Sequence, residues 1–182
     1  MGDNAALGTG TVTFSGGRIS SDSVTARALA NKLAMSGTLI LGDAVNTGTL
    51  AFSGDVALTA DTVLTVASGV TLGGVVSGSF GLVKDGSGTL NLGGSNTFTG
   101  SLNVSGGFLT LSGGGALADS VILTLQSSGS LRLSDSEVIG GLAGAGSVDL
   151  QSNTLTVSGG ADTVFRGAID GAGAFTCSAC SN

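Results

Sequence analysis

An all-β chain wound as a parallel β-helix is the fold this sequence predicts, on three observations. Short runs in which aliphatic residues alternate with small polar ones recur along its length, as in Leu90/Leu92, Leu102/Val104 and Leu109/Leu111. Each run is fenced by glycine, serine or asparagine. A Gly-x-Gly-x-apolar-x-apolar motif returns at Gly8, Gly86 and Gly144, and Gly171 begins it once more. Strand side chains point to opposite faces with period two, so each run places two aliphatics on one face and Thr, Asn or Gly on the other. So narrow an apolar face cannot bury itself. The runs must stack on one another, which is the logic of a solenoid.

Taken in order, residues 8–15 are a glycine turn entering a strand with Val12 and Phe14 on one face. Residues 20–35 are mixed: Val24, Ala28, Leu29 and Leu33 have helical spacing, while Leu33 and Met35 open a period-two run, and strand with turn is expected. Strands follow at 38–41, 49–52, 56–58, 64–66 and 70–72, separated by Gly-Asp and Ser-Gly. Those separators have a physical reason: glycine accepts positive φ and aspartate bonds its own backbone. The stretch 86–111 organises the chain, with Leu90, Leu92, Leu102, Val104, Leu109 and Leu111 as its expected core ladder. Residues 121–125 and 131–133 are strands. Ser134-Asp-Ser-Glu137 matches a helix capping box, but two glycines follow Ile139, so a single turn at a coil corner is expected. Runs at 148–150, 154–157 and 163–165 complete the pattern.

At about twenty to twenty-five residues per turn the chain makes about eight coils. With strands about 4.8 Å apart, the rod is roughly 35 to 40 Å long. The expected organisation is one β-solenoid domain over 1–176 and a short cysteine-containing tail over 177–182. Neither end carries an evident polar cap, which solenoids need.

Composition narrows function. Of 182 residues 34 are glycine and 4% are aromatic, with no Trp or Tyr, so small aliphatics must fill the interior. Mean hydropathy of +0.50 with only 10% charged residues excludes a disordered Gly/Ser linker. No apolar run approaches the roughly 18 residues of a spanning helix, so this fragment is not expected to insert into a membrane. A net charge of −6 and a pI near 4.1 repel phosphate backbones and anionic lipid, so nucleic acid is not an expected partner. The absence of proline suits uninterrupted ladders. The absence of histidine removes the commonest general base and metal ligand. Met1-Gly2-Asp3 opens without a basic or apolar leader, so a signal peptide is expected upstream or the protein stays inside.

No catalytic, cofactor-binding or metal site is expected. Residues 158–165 loosely match a calcium-binding nonapeptide, but that motif belongs to tandem arrays, and one copy is read as a turn. Asp55, Asp61, Asp85, Asp119, Asp149, Asp162 and Asp170 could pair across coils as in polysaccharide-cleaving β-helices, but most fall at or near expected turns and they are read as solvated. Thr-x-Thr pairs at 11/13, 47/49, 97/99 and 154/156 recur at unequal intervals, which suits outward strand positions better than a flat ice-binding face. Cys177 and Cys180 are the sole cysteines; a redox pair and half a zinc site are alternatives to a disulfide or incidental pair in the tail.

Several segments together carry a resemblance. Gly86-Ser-Gly-Thr-Leu-Asn-Leu, Asn96-Thr-Phe-Thr-Gly100, Leu102-Asn-Val, Phe108-Leu-Thr-Leu and Ala116-Leu-Ala-Asp-Ser120 resemble the passenger-associated strand repeat of bacterial autotransporters. Pieces within 138–175 are similar to inter-repeat segments of the same passengers, so the repeat is best matched at 86–120 and 138–175. The resemblance implies a right-handed, single-stranded β-helix exported through a C-terminal translocator barrel and displayed on the cell surface or released. This sequence shows no leader and no barrel. After Phe175 the alternation gives way to Thr-Cys-Ser-Ala-Cys-Ser-Asn.

The favoured function is a non-catalytic structural or adhesive stalk, partnered by flanking passenger domains and a barrel encoded elsewhere. A homo-oligomer stacking end to end into a fibre is the alternative. A polysaccharide-active enzyme or an ice-binding protein ranks below both.

Overall fold

The computed structural model describes residues 1–160 and 162–178. Within them lie twenty short strands and no helix, and the strand pairings are parallel. They form a β-solenoid of about eight turns with three faces. Face A is a nine-stranded sheet that begins at Val12–Phe14 and ends at Gly141–Gly144. Face B is an eight-stranded sheet running from Arg27–Leu29 to Ala168–Asp170. Face C is a sheet of three strands in the last coils, Glu137–Ile139, Thr154–Val157 and Ala174–Cys177.

In the early coils face C is not a separate sheet, because two long strands round the corner. Within Val56–Val66, Val56 pairs with Val76 while Thr62 pairs with Leu82. Leu33–Leu41 does the same, with a register irregularity between Met35 and Gly37 where the chain bends.

Register puts like on like. On face B, Leu50, Val70, Leu90, Leu109, Leu131 and Val148 stack in one inward column. On face A, Leu82, Leu102, Leu123 and Leu142 form another. Leu90, Leu92, Leu109 and Leu111 lie on face B, Leu102 and Val104 on face A, and all six are fully buried. Each such side chain contributes about 1.5–3 kcal/mol by leaving water. The coil length is not constant: partners are 25 residues apart from Leu39 to Leu64, 20 from Val70 to Leu90 and 17 from Leu131 to Val148.

Residues 20–35 resolve as a turn, the strand Arg27–Leu29 and the start of Leu33–Leu41. The helical spacing has no apolar face to serve, since Val24 is 77% exposed while Leu29, Leu33 and Met35 face the core.

The Gly-x-Gly motif has two separate causes. Its first glycine has positive φ at Gly8, Gly86, Gly144 and Gly171, a conformation side chains resist. Its second glycine sits where the corner presses on the preceding coil: a Cβ on Gly88 would overlap the Ser68 carbonyl, and one on Gly146 the Gly129 carbonyl. The motif therefore marks coil corners.

The expectation that both ends lack a polar cap fails at the first coil. Residues 1–10 fold over it, with Asn4 Oδ1 accepting from the Ala28 N–H at 3.1 Å and the Met1 carbonyl from the Asp22 N–H at 3.1 Å. The buried Asn31 side chain donates to the carbonyls of Gly8 and Gly10 at 3.1 and 2.7 Å. At the other end the strand Ala174–Cys177 is largely exposed, and Phe175 is 43% accessible.

Candidate functional site

The interior is closed by its own leucines, so chemistry or recognition must use the outer corners and faces. Three buried polar side chains decide how those corners are held. The sequence reading noted Asn96 only within a repeat segment and Glu137 only as part of a capping-box match, and passed over Lys84, although strand parity contained the signal: Lys84 shares the inward side with Leu82, and Glu137 shares it with Ile139.

The face C ladder of backbone strands is interrupted between Val76–Ser77 and Glu137–Ile139. Side chains span the gap together with a few backbone bonds, among them Thr97 N–H to the Val76 carbonyl at 2.8 Å and Thr99 N–H to the Gly78 carbonyl at 3.0 Å. Asn96 Oδ1 accepts from the Val76 N–H at 2.7 Å, and Asn96 Nδ2 donates to the Ala116 carbonyl at 2.6 Å. Asn96 thereby joins the preceding and following coils, and Phe98 beside it fills the core. This explains why asparagine opens Asn96-Thr-Phe-Thr-Gly100. Asn96→Ala orphans one buried N–H and one buried carbonyl, so a loss of about 2–3 kcal/mol is expected in guanidinium unfolding. Asn96→Asp keeps the first bond but faces the Ala116 carbonyl with a carboxylate, so it is expected to restore little.

One coil further on, Glu137 Oε2 accepts from Gly115 and Ala116 N–H at 3.2 and 2.8 Å, and Oε1 from Leu117 N–H at 2.9 Å. Gly113, Gly114 and Gly115 all have positive φ, which lets successive N–H groups converge on acids from the next coil. Asp135 accepts from the Gly113 N–H at 2.7 Å, and Ser136 Oγ from the Thr154 N–H at 3.0 Å. The capping-box match at 134–137 is therefore not merely a corner turn; it is a clamp between coils, with Glu137 in a strand. Burial pushes the Glu137 carboxyl up from its ordinary range, and the three N–H donors only partly oppose this.

Lys84 is fully buried in the inward column between Leu64 and Val104. Its Nζ donates to the carbonyls of Asp85, Gly86 and Gly106 at 3.2, 2.9 and 2.8 Å. The ammonium has three donors, and all three are used. Burial lowers its pKa to about 8, while Asp85 nearby acts in the opposite sense. The folded chain thus gives up this proton before the unfolded chain does. Stability should rise with pH between about 8 and 10.5, by up to about 3 kcal/mol, and this slope should vanish in Lys84→Met.

The aspartates flagged in the sequence are spread over separate corners. Asp55 accepts from the Val75 N–H at 3.2 Å and lies 4.0 Å from Lys32. Asp61 accepts from the Gly81 N–H at 2.8 Å. The Gln151 N–H, with Arg132 beside it, holds the Asp149 carboxyl below its usual range. Asp85, Asp119, Asp162 and Asp170 complete the set, and among the described residues no group of acids and cysteines is arranged to hold a metal. Of the cysteine pair, Cys177 ends the last strand and Cys180 lies outside the described residues.

Two recesses open at the outer corners of the middle coils. One, of about 420 Å³, is lined by Asp61, Thr62, Gly81, Gly100 and Ser101. The other, of about 560 Å³, lies where face A turns into face B, between Asp85, Ser87, Ser105, Gly106 and Phe108. Phe108 also walls a smaller recess of about 190 Å³ with Thr89, Thr110 and Arg132. This phenyl ring occupies an outward strand position and is 47% exposed.

The described residues thus form a filled, three-sided parallel solenoid whose polar recesses lie on its outside. Residues 82–111 match the family described as Passenger-associated-transport-repeat. In an alignment of 174 positions that covers 89% of the chain, it is 34% identical to "Adhesin BmaC autotransporter" of Brucella suis biovar 1 (strain 1330). The match spans about 5% of that relative. No solved structure shows a significant match. No helix among the described residues is long and apolar enough to cross a membrane.

Proposed function

We propose that the chain is a section of the stalk of a secreted or surface-displayed adhesive passenger, and that it acts mechanically and without catalysis. The carrying observation is the unbroken stacking of about eight coils around buried leucine columns, with side chains bridging face C where strand pairing lapses. Force along or across such a rod is resisted by ladders of backbone bonds loaded together. The match of residues 82–111 to a passenger repeat family and similarity to an autotransporter adhesin support the same reading. On it, export depends on a translocator barrel elsewhere in a longer protein. The test is to display the chain on a cell surface in place of the equivalent coils of a passenger and measure protease resistance and adhesion. Retained adhesion with a protected rod is expected. Turnover of a polysaccharide or peptide library that an aspartate substitution abolishes would remove the non-catalytic part.

A second reading is end-to-end self-assembly through the strand Ala174–Cys177, most of whose side chains are exposed, since sheet edges template further strands. The first coil, covered by residues 1–10, works against head-to-tail stacking. Light scattering against concentration, with and without reductant, separates the two. A rod that stays monomeric at high concentration ends the fibre.

A further inference from the structure

The recess at the corner between faces A and B is built from the inside. Lys84 Nζ draws the carbonyls of Asp85, Gly86 and Gly106 inward. Peptide planes are rigid and trans, so the N–H groups of those same planes, on Gly86, Ser87 and Gly107, point away from the ammonium. These residues line the recess. Around them stand the hydroxyls of Ser87, Ser105 and Ser128, the Asp85 carboxylate and the half-exposed ring of Phe108.

We propose that this groove binds a neutral saccharide, with a sugar ring stacked on Phe108. The chemistry selects that class. A hexopyranose offers alternating hydroxyl donors and acceptors, which the serines, the amide N–H groups and Asp85 match. It also offers a C–H face, which the negative face of an aromatic ring attracts. The recess, of about 560 Å³, is open along its outer side, which suits a ring laid against Phe108 with one face left to solvent. Phe108 is shared with the smaller recess containing Thr110 and Arg132, so a chain of two or more rings could cross it. Anionic glycans are disfavoured by Asp85 and by the net charge of −6. An extended peptide has no strand edge to pair with here, because Gly107–Leu111 is already hydrogen-bonded on both sides, by Thr89–Leu92 and Gly129–Leu133.

The inference rests on the stalk reading only in taking the groove to bind and not to cleave. The ¹⁵N-labelled whole chain is titrated with cellotetraose, maltotetraose, mannotetraose and, as an anionic comparison, sialyllactose, each to about 20 mM. One neutral probe is expected to shift the amides of Gly86, Ser87 and Gly107 saturably and to show saturation transfer with the Phe108 ring. Phe108→Ala should weaken that binding about tenfold or more with an unchanged melting temperature, and Phe108→Tyr should retain it. The site is overturned if no neutral probe moves these amides, if sialyllactose binds better, or if Phe108→Ala binds equally well. Chromatography of the same samples separates the two claims. Shortened products would keep the site and overturn the stalk reading, whereas intact sugar with no amide shifts would do the reverse.

Discussion

Glu137→Ala is expected to destabilise the solenoid by about 3 kcal/mol, the largest loss from any single polar side chain. Two buried N–H groups, on Ala116 and Leu117, and the part-buried one of Gly115 lose their acceptor together. They belong to a run with three successive positive-φ glycines, which has no strand partner to fall back on. Release of a desolvated carboxylate offsets part of the loss, which is why the figure lies below three full orphan penalties. Guanidinium unfolding followed by circular dichroism measures it. Glu137→Gln should recover part of the loss, since its oxygen serves one or two donors while its NH₂ confronts another. The wild type also carries a pH signature. Burial raises the folded pKa of Glu137 above its ordinary value of 4.5, so the folded chain holds the proton longer than the unfolded chain. The group's contribution is therefore highest below about pH 4.5 and falls as pH rises through the folded value. A wild-type stability difference from Glu137→Gln that stays flat across that window would refute the assignment.

Gly88→Ala is expected to cost about 3 kcal/mol, at the upper end for overpacking, because the added methyl meets backbone. It would overlap the Ser68 carbonyl and lie 2.8 Å from the Val66 carbonyl and 2.9 Å from the Ser68 nitrogen. A flexible side chain could swing aside; the preceding coil cannot, because Val66 and Ser68 flank a corner tied by the Gly88 N–H to Val66 carbonyl bond of 2.8 Å. Gly10→Ala, at the same motif position but with open space around it, should be nearly silent. Equal losses at both positions would show that the motif acts through chain entropy and not through contact between coils.

These two positions also measure how much could be read in advance. The Gly-x-Gly motif was visible as a repeat, but its two causes, left-handed backbone at Gly86 and coil contact at Gly88, need coordinates to separate. The alternation that selected Leu90, Leu92, Leu102, Val104, Leu109 and Leu111 is local, and parity alone places them on one side of their strands. Lys84 and Glu137 obey the same parity, yet a rule that expects charges outside passes over them. The flagged aspartates were expected mostly at or near turns; Asp55 and Asp61 receive N–H bonds from an adjacent coil, but Asp61 does so from within the strand Val56–Val66. Parity also places Phe108 opposite Leu109 and Leu111, but the recess beside its outward ring is formed with residues of the neighbouring corners and needed coordinates.

Residue order alone settled the winding: two-residue apolar faces, proline-free ladders and corner glycines leave stacking as the way to keep leucine dry. What needed the folded molecule was every partnership between coils. Such partners lie 17 to 25 residues apart with no fixed period, from Leu131 and Val148 to Leu39 and Leu64. Whether Glu137 meets the N–H groups of 115–117, or Lys84 the carbonyls behind the Phe108 groove, depends on the accumulated length of the intervening corners. Alternation within a strand carries no record of that length.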